Sequence, residues 1–346
     1  MINKLLLSAA IVLCGATTME AAQKKSAKVE KQLAAQCDAG LRSITEDAAR
    51  AHVYFLADDL LEGRRAGLRG SRIAKQYIIS QICEAGLKPF LGDSYEQPFE
   101  AVAAQKLKRG VRFYVDADSV AEIKKGVYQQ MKLSNVLAVL PGKKADEMVV
   151  VGAHLDHEGM YPDVEGDNIY NGADDNASGV SAVLQIMKAF TMSGAQPERT
   201  IVFAFWDGEE QGLLGSRYFT QHYAGMDRVK GYLNFDMVGS GTDSKYLMYF
   251  FTASHPVLGE WLKADINKYN FSTFEPDYRS WDNPIGGSDQ SSFHLKGVPI
   301  VWYHTGGQPH YNQPSDEPQT INYPKLTDIT RASFLTTWHL ANEQDY

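Results

Sequence analysis

Apolar residues along this chain recur in two registers, and the register changes near residue 134. Between Glu46 and Leu61 the apolar positions Ala49, Val53, Leu56 and Leu60 fall at helical spacing, which predicts a helix. A second helix is predicted over Ser71–Ala85, stopped by Gly86 and Pro89. From Ser94 to Leu133 the pattern is less regular, with a strand predicted at Val111–Val115. About forty residues are few for an independent core, so this stretch reads as an excursion. From Ser134 onward, short apolar runs alternate with helical ones. Strands are predicted at Ser134–Leu140, Met148–Ala153, Thr200–Trp206, Gly231–Phe235, Tyr246–Thr252 and Val298–Tyr303. Helices are predicted at Gly179–Phe190, Leu213–His222, Pro256–Asn270 and Lys325–His339. The alternation predicts an α/β fold, a mostly parallel twisted central sheet with helices on both faces. Ligands of such sheets bind beyond the carboxyl ends of the strands.

The N-terminal residues follow a different pattern. Residues 1–22 place Lys4 before the apolar run Leu5–Gly15, with small residues after it. That is the pattern of an export signal, and the apolar run is too short to span a bilayer. The expectation is a periplasmic or extracellular protein with no transmembrane segment after signal removal, and a flexible polar lead-in at residues 23–40. Cys14 would permit lipid anchoring, but Leu13 stands before it where a lipoprotein signal carries a small residue. Cys37 and Cys83 fit no metal spacing; in an oxidising compartment they could pair, which two residues alone do not establish. The 346 residues are 44% hydrophobic and 22% charged, as in an ordinary globular chain. A formal net charge of −8, without a Lys/Arg stripe, argues against a nucleic-acid surface.

The chemistry lies at the ends of the predicted strands. His154 and Asp156 stand two apart after one strand, and Asp156 is the natural acceptor for the second N–H of a ligating His154. His157 lies further past the strand end and need not face the same site. Asp174 and Asp175 lie in Gly-Ala-Asp-Asp-Asn-Ala-Ser-Gly (172–179), a tight loop opening a helix, with Asn176 or Ser178 as its cap. A carboxylate pointed inward there can bridge two ions. Of the pair Glu209 and Glu210, one can ligate while the other stays free as general base. Asp236 follows another buried strand, and Gly239-Ser240-Gly241 then makes a loop with room for substrate. One imidazole with several carboxylates is a mixed nitrogen/oxygen set suited to zinc, with more carboxylate than one ion needs. Two zinc ions sharing a carboxylate are therefore expected. Tyr246–Phe251 and Trp302-Tyr303 could floor an apolar pocket or simply fill the strand core.

His-Leu-Asp (154–156), Gly-Ala-Asp-Asp-Asn-Ala-Ser-Gly, Gly-Glu-Glu-Gln-Gly-Leu-Leu-Gly-Ser (208–216) and Asn-Phe-Asp-Met-Val-Gly (234–239), in this order, closely resemble the secreted co-catalytic di-zinc aminopeptidases. That family is leucyl-aminopeptidase-like and shares its zinc-exopeptidase fold with glutaminyl cyclases. The resemblance runs from Ser134 to Tyr346 and includes Leu61-Glu62-Gly63-Arg64, so residues 41–346 are expected to form a single zinc-peptidase domain. It implies that His154 and Asp236 hold one zinc, that Glu210 holds the other, and that Asp174 bridges them. It further implies that Asp156 orients His154 and that Glu209 is the general base. A cis peptide is implied between Asp174 and Asp175, and the stretch 286–293 should line the site entrance. The family's last histidine stands four residues before an aspartate, and here that place holds Asn312, ahead of Asp316. Asparagine is a poor zinc ligand beside imidazole, so His310, two residues earlier, is expected as the fifth ligand in preference to His304. The expected activity is zinc-dependent removal of N-terminal residues from peptides with a free N-terminus. The alternatives are a glutaminyl-cyclase-like acyltransferase and a peptide-binding homologue without activity; Asn312 favours the latter and Glu209 opposes it.

Overall fold

The computed structural model describes residues 28–105, 111–241, 244–281, 286–343 and 346; the expected export signal and Cys14 lie outside the described residues. The chain begins with α1 (28–43), α2 (Glu46–Leu56) and α3 (Arg69–Glu84), then β1 (Lys88–Pro89), β2 (Glu96–Ala104), α4 (Ala117–Ile123), β3 (Tyr128–Leu140) and β4 (Lys144–His154). A short ribbon, β5 (Gly159–Met160) with β6 (Ile169–Tyr170), precedes α5 (Gly179–Ser193), β7 (Arg199–Trp206), α6 (Leu214–His222) and β8 (Val229–Phe235). The remainder is β9 (Tyr246–Thr252), α7 (Val257–Tyr269), β10 (Glu275–Trp281), α8 (Gln290–His294), β11 (Ile300–His304) and α9 (Tyr323–Asn342).

Among the described residues, nine strands form one sheet in the order β1-β3-β7-β4-β8-β11-β9-β10, with β2 also paired to β3. The centre, β7-β4-β8-β11, is parallel, while β3 and β9 run antiparallel to β7 and β11. Strand periodicity divides the core between the two faces. Val149, Val151 and Ala153 of β4 pack into one apolar cluster with α2, α3, α5, α7 and α9. Met148 and Val150 point into a second, with Phe219 of α6 and Phe293 of α8. Covered on both sides, β7 is buried at every position, which is why Ile201–Trp206 is a continuous apolar run after Arg199 and Thr200.

Several elements differ from expectation. The described part of the lead-in is helical and sets Cys37 against the core; Cys37 and Cys83 are both free thiols. The helix expected to reach Leu61 ends at Leu56, because the Asp58 side chain accepts the Leu60 N–H and starts a tighter turn. That turn leaves Leu60 exposed and places Gly63 at φ 63, where a Cβ would lie 2.4 Å from the Gly159 carbonyl oxygen. The expected strand at Val111–Val115 is a single bridge from Tyr114 to Val102. The surrounding excursion instead contains β2 and the first half of β3, paired antiparallel from Glu96↔Val136 to Ala104↔Tyr128. Its polar run Gln129-Gln130-Met131-Lys132 faces largely outward, so no apolar pattern marked it. Edge strand β10 likewise has no apolar pattern in the sequence: Pro276, Asp277 and Arg279 suit an edge and carry no core signal.

Candidate active site

Parallel neighbours end at the same edge of a sheet, and this geometry gathers the site. His154, the last residue of β4, has Trp206 as its partner on β7, and Gly152 pairs with Asn234 on β8. Asp156 and His157 beyond β4, Glu209 and Glu210 beyond β7, and Asp236 beyond β8 therefore meet. The turn Ala173–Ser178, which leads into α5, brings a further carboxylate.

Buried polar groups fix these segments. Arg64 is wholly enclosed and donates to the carbonyls of Leu56 (2.6 Å), Leu155 (3.1 Å), Asn171 (2.5 Å) and Gly172 (2.9 Å). One guanidinium thus ties the exit of β4 to the start of the turn. The Asp316 carboxylate accepts the backbone N–H groups of Asp174 and Asp175, each at 3.0 Å. Asp207 accepts from Lys75 Nζ (2.6 Å) and the Ser134 N–H (3.1 Å), anchoring the loop that carries the two glutamates. Gly172 sits at φ 59, and a Cβ there would lie 2.0 Å from the Asp175 carbonyl oxygen and 2.5 Å from the His157 ring. Only glycine lets the turn close on the site.

Asp175, not Asp174, lies between the imidazoles. Its Oδ1 is 3.3 Å from His154 Nε2, and its Oδ2 is 3.7 Å from His157 Nδ1. Asp236 Oδ1 lies 3.4 Å from His154 Nε2, and Glu210 Oε1 lies 2.8 Å from His157 Nδ1. Asp174, expected to bridge, belongs to no such group among the described residues. Its Oδ1 accepts the Gly239 N–H (2.8 Å) and the Ser178 hydroxyl (3.2 Å), so it pins the turn to the loop after β8. The cis peptide likewise falls between Asp175 and Asn176 rather than between the two aspartates. His154 Nδ1 is closer to the backbone carbonyl of Asp156 (3.2 Å) than to its carboxylate (3.9 Å), which instead accepts the Glu209 N–H at 3.1 Å. His310, expected as the fifth ligand, is also outside these groups: its ring pairs with Ser315 Oγ at 2.9 Å.

Concentrating so much acid in a buried space disfavours its charge. Burial raises the pKa of Asp156, Asp175 and Glu209, and lifts Glu210 to about 7. At His154 burial opposes the charged form, but Glu209, Asp175 and Asp236 outweigh it and raise the pKa. A divalent cation offsets such an excess of negative charge. Imidazole nitrogen with carboxylate oxygen is a donor set zinc accepts, and donors about 2.0–2.2 Å from a tetrahedral zinc stand ~3.3–3.6 Å apart. The separations of 3.3 and 3.4 Å around His154 Nε2 match that spacing. The residues present therefore fit the metal.

Above these groups lies a cleft of about 270 Å³, lined also by Met237, Gly287, Trp302, His304, Gly307 and Tyr311. Of the stretch expected at the entrance, Gly287 reaches it. Of the aromatic residues expected to floor it, Trp302 does so, whereas Tyr249 and Phe250 fill the cores on opposite faces of the sheet. The expected residue of the pair was Asp174 and His157 was not expected at the site, whereas Asp175 is the aspartate beside the imidazoles and His157 is one of them. Along an irregular turn there is no periodicity to say which side chain faces inward. The sequence assigns Arg64 no role, since bonding to carbonyls leaves no spacing signal.

The family model for peptidase family M28 matches residues 135–337. Leupeptin-inactivating enzyme 1 of Streptomyces exfoliatus is 31% identical over 176 residues, covering 50% of this chain and 36% of that protein. The chain spans about a third of the length of the curated relatives it matches. Among solved structures, a zinc aminopeptidase from Bacillus subtilis is similar with a TM-score of 0.66 at 15% identity, covering 88% of this chain and 97% of that one. The glutaminyl cyclase of Fimbriiglobus ruber is similar with a TM-score of 0.63 at 16% identity, covering 85% and 94%. At such identities the likeness establishes the fold, which hosts more than one chemistry.

Proposed function

The chain belongs to peptidase family M28, and on that premise we propose that it is an exported zinc-dependent aminopeptidase acting on peptides with a free N-terminus. The observation that carries this reading is Asp175, held with one oxygen toward each of two imidazoles, His157 buried and His154 on the cleft that Glu209 also lines. His154, Asp175 and Asp236 would hold one zinc, and Asp175 with Glu210 would contribute to a second. Zinc supplies Lewis-acid polarisation of a carbonyl and acidification of water. The Glu209 carboxylate makes no hydrogen bond among the described residues, so its oxygens are free to move a proton. It takes the proton of the attacking water and returns it to the departing amine. Two zinc ions would balance the four carboxylates lining the cleft, so the preference for a free N-terminus rests on the family resemblance rather than on residual charge. Export rests on the sequence pattern of residues 1–22; among the described residues, no helix is long and apolar enough to cross a membrane.

A panel of aminoacyl p-nitroanilides and peptides, run beside zinc analysis of the same sample, tests this reading. Free N-termini should be cleaved and N-acetylated ones spared. Release of residues from the C-terminus, or efficient hydrolysis of blocked peptides, refutes the aminopeptidase assignment. Conversion of N-terminal glutamine to pyroglutamate would replace it with acyl transfer.

A further inference from the structure

We propose that His157 supplies the imidazole of the second zinc site, so that both histidine ligands leave the same strand end and the 304–312 loop provides none. This rests on the reading above that Asp175 and Glu210 are ligands. The ring of His157 is fully buried, and its Nδ1 faces Glu210 Oε1 at 2.8 Å and Asp175 Oδ2 at 3.7 Å. These separations bracket the ~3.3–3.6 Å expected between donors sharing a tetrahedral zinc. The 3.7 Å edge is too long for a hydrogen bond. Asp175 turns its other oxygen to His154, as a carboxylate shared by two ions must. The ring is also held closely: a Cβ on Gly172 would lie 2.5 Å from it, and the His157 backbone N–H reaches the Arg64 carbonyl at 3.4 Å.

The loop offers no equivalent. His310 Nδ1 is paired with Ser315 Oγ. His304 Nδ1 lies 2.7 Å from the Asp236 carbonyl oxygen, with its ring 5.1 Å from that of Trp302. Neither belongs to a group of metal donors among the described residues. Asn312 stands at φ 51 and brings no imidazole. Freed from ligation, this loop is left to shape the cleft through His304, Gly307 and Tyr311.

The competing role for His157 is a hydrogen bond from Nδ1–H that merely orients Glu210. Zinc counting by mass spectrometry separates the two. Wild-type protein should hold two zinc ions, His157→Gln one, and His310→Ala and Asn312→Ala two each. The ion retained at His154 in His157→Gln serves as the internal control for folding. Two ions in His157→Gln, or one in either loop variant, overturns the proposal. Should His157→Gln fail to fold, wild-type protein with ¹⁵N-labelled histidine and loaded with ¹¹³Cd decides: coupling between cadmium and His157 Nδ1 is expected, and its absence from a two-cadmium protein overturns the proposal. A two-zinc protein without aminopeptidase activity sinks the functional reading while leaving this ligand assignment standing. A wild type that binds fewer than two ions sinks the ligand assignment itself.

Discussion

Replacing Arg64 with lysine keeps a positive charge in place and removes only the planar fork, so it isolates the clamp from electrostatics. Burial pulls the Arg64 pKa down to about 10, which still leaves the group charged at neutral pH. The guanidinium serves four carbonyls through three nitrogens at 2.5–3.1 Å. A lysine ammonium has three donors on one atom and cannot reach both ends of that span. At least one carbonyl, and two by this geometry, would be buried without a partner, at about 1–3 kcal/mol each. The expected loss is about 3 kcal/mol, measured by urea unfolding of chelator-treated protein so that metal does not mask it. Because Gly172 and Asn171 lead into the turn carrying Asp175, zinc affinity should also fall, by about 10–100-fold as for other groups supporting a metal ligand. A variant within ~0.5 kcal/mol of wild type and with unchanged zinc affinity would show that the clamp neither stabilises the fold nor positions the turn.

Glu209→Gln should keep its zinc and lose about 10²–10⁴-fold in turnover, the usual contribution of a general base; loss of metal in step with activity would instead make Glu209 a ligand. Asp175→Asn should deplete both zinc ions, whereas Asp174→Asn should keep them, since its amide oxygen can still accept the Gly239 N–H; metal analysis of the pair decides which aspartate bridges. His52 is buried against Tyr77, and burial lowers its pKa from 6.5 to about 4. The unfolded chain therefore binds this proton first, so stability present above pH 6.5 is lost as pH falls toward 4. Between pH 7 and 5 the loss from this group is about 2 kcal/mol. In chelator-treated protein, His52→Gln should unfold with a correspondingly flatter pH dependence, and equal slopes would refute the assignment.

What could be read from the amino-acid sequence was whatever depends on local periodicity and on the ends of buried strands. The alternation from Ser134 onward sufficed for the α/β class and the parallel centre, because a strand covered on both faces reads as an apolar run, as β7 does from Ile201 to Trp206. It also placed His154, Glu209, Glu210 and Asp236 at one edge, since parallel strands present their carboxyl ends together. Strands whose side chains face water carry no such pattern, and β10 and the first half of β3 appeared only in the fold. Direction was the other quantity that sequence did not contain. Whether Asp174 or Asp175 faces the imidazoles depends on Asp316 binding both amides and on Arg64 binding the carbonyls before them, contacts that span more than a hundred residues of chain. The same holds for His157, which is three residues past His154 in the sequence yet meets Glu210 only because β4 and β7 are adjacent. Spacing along the chain selects residue types for a site; the tertiary contacts that fix an irregular turn decide which of them face it.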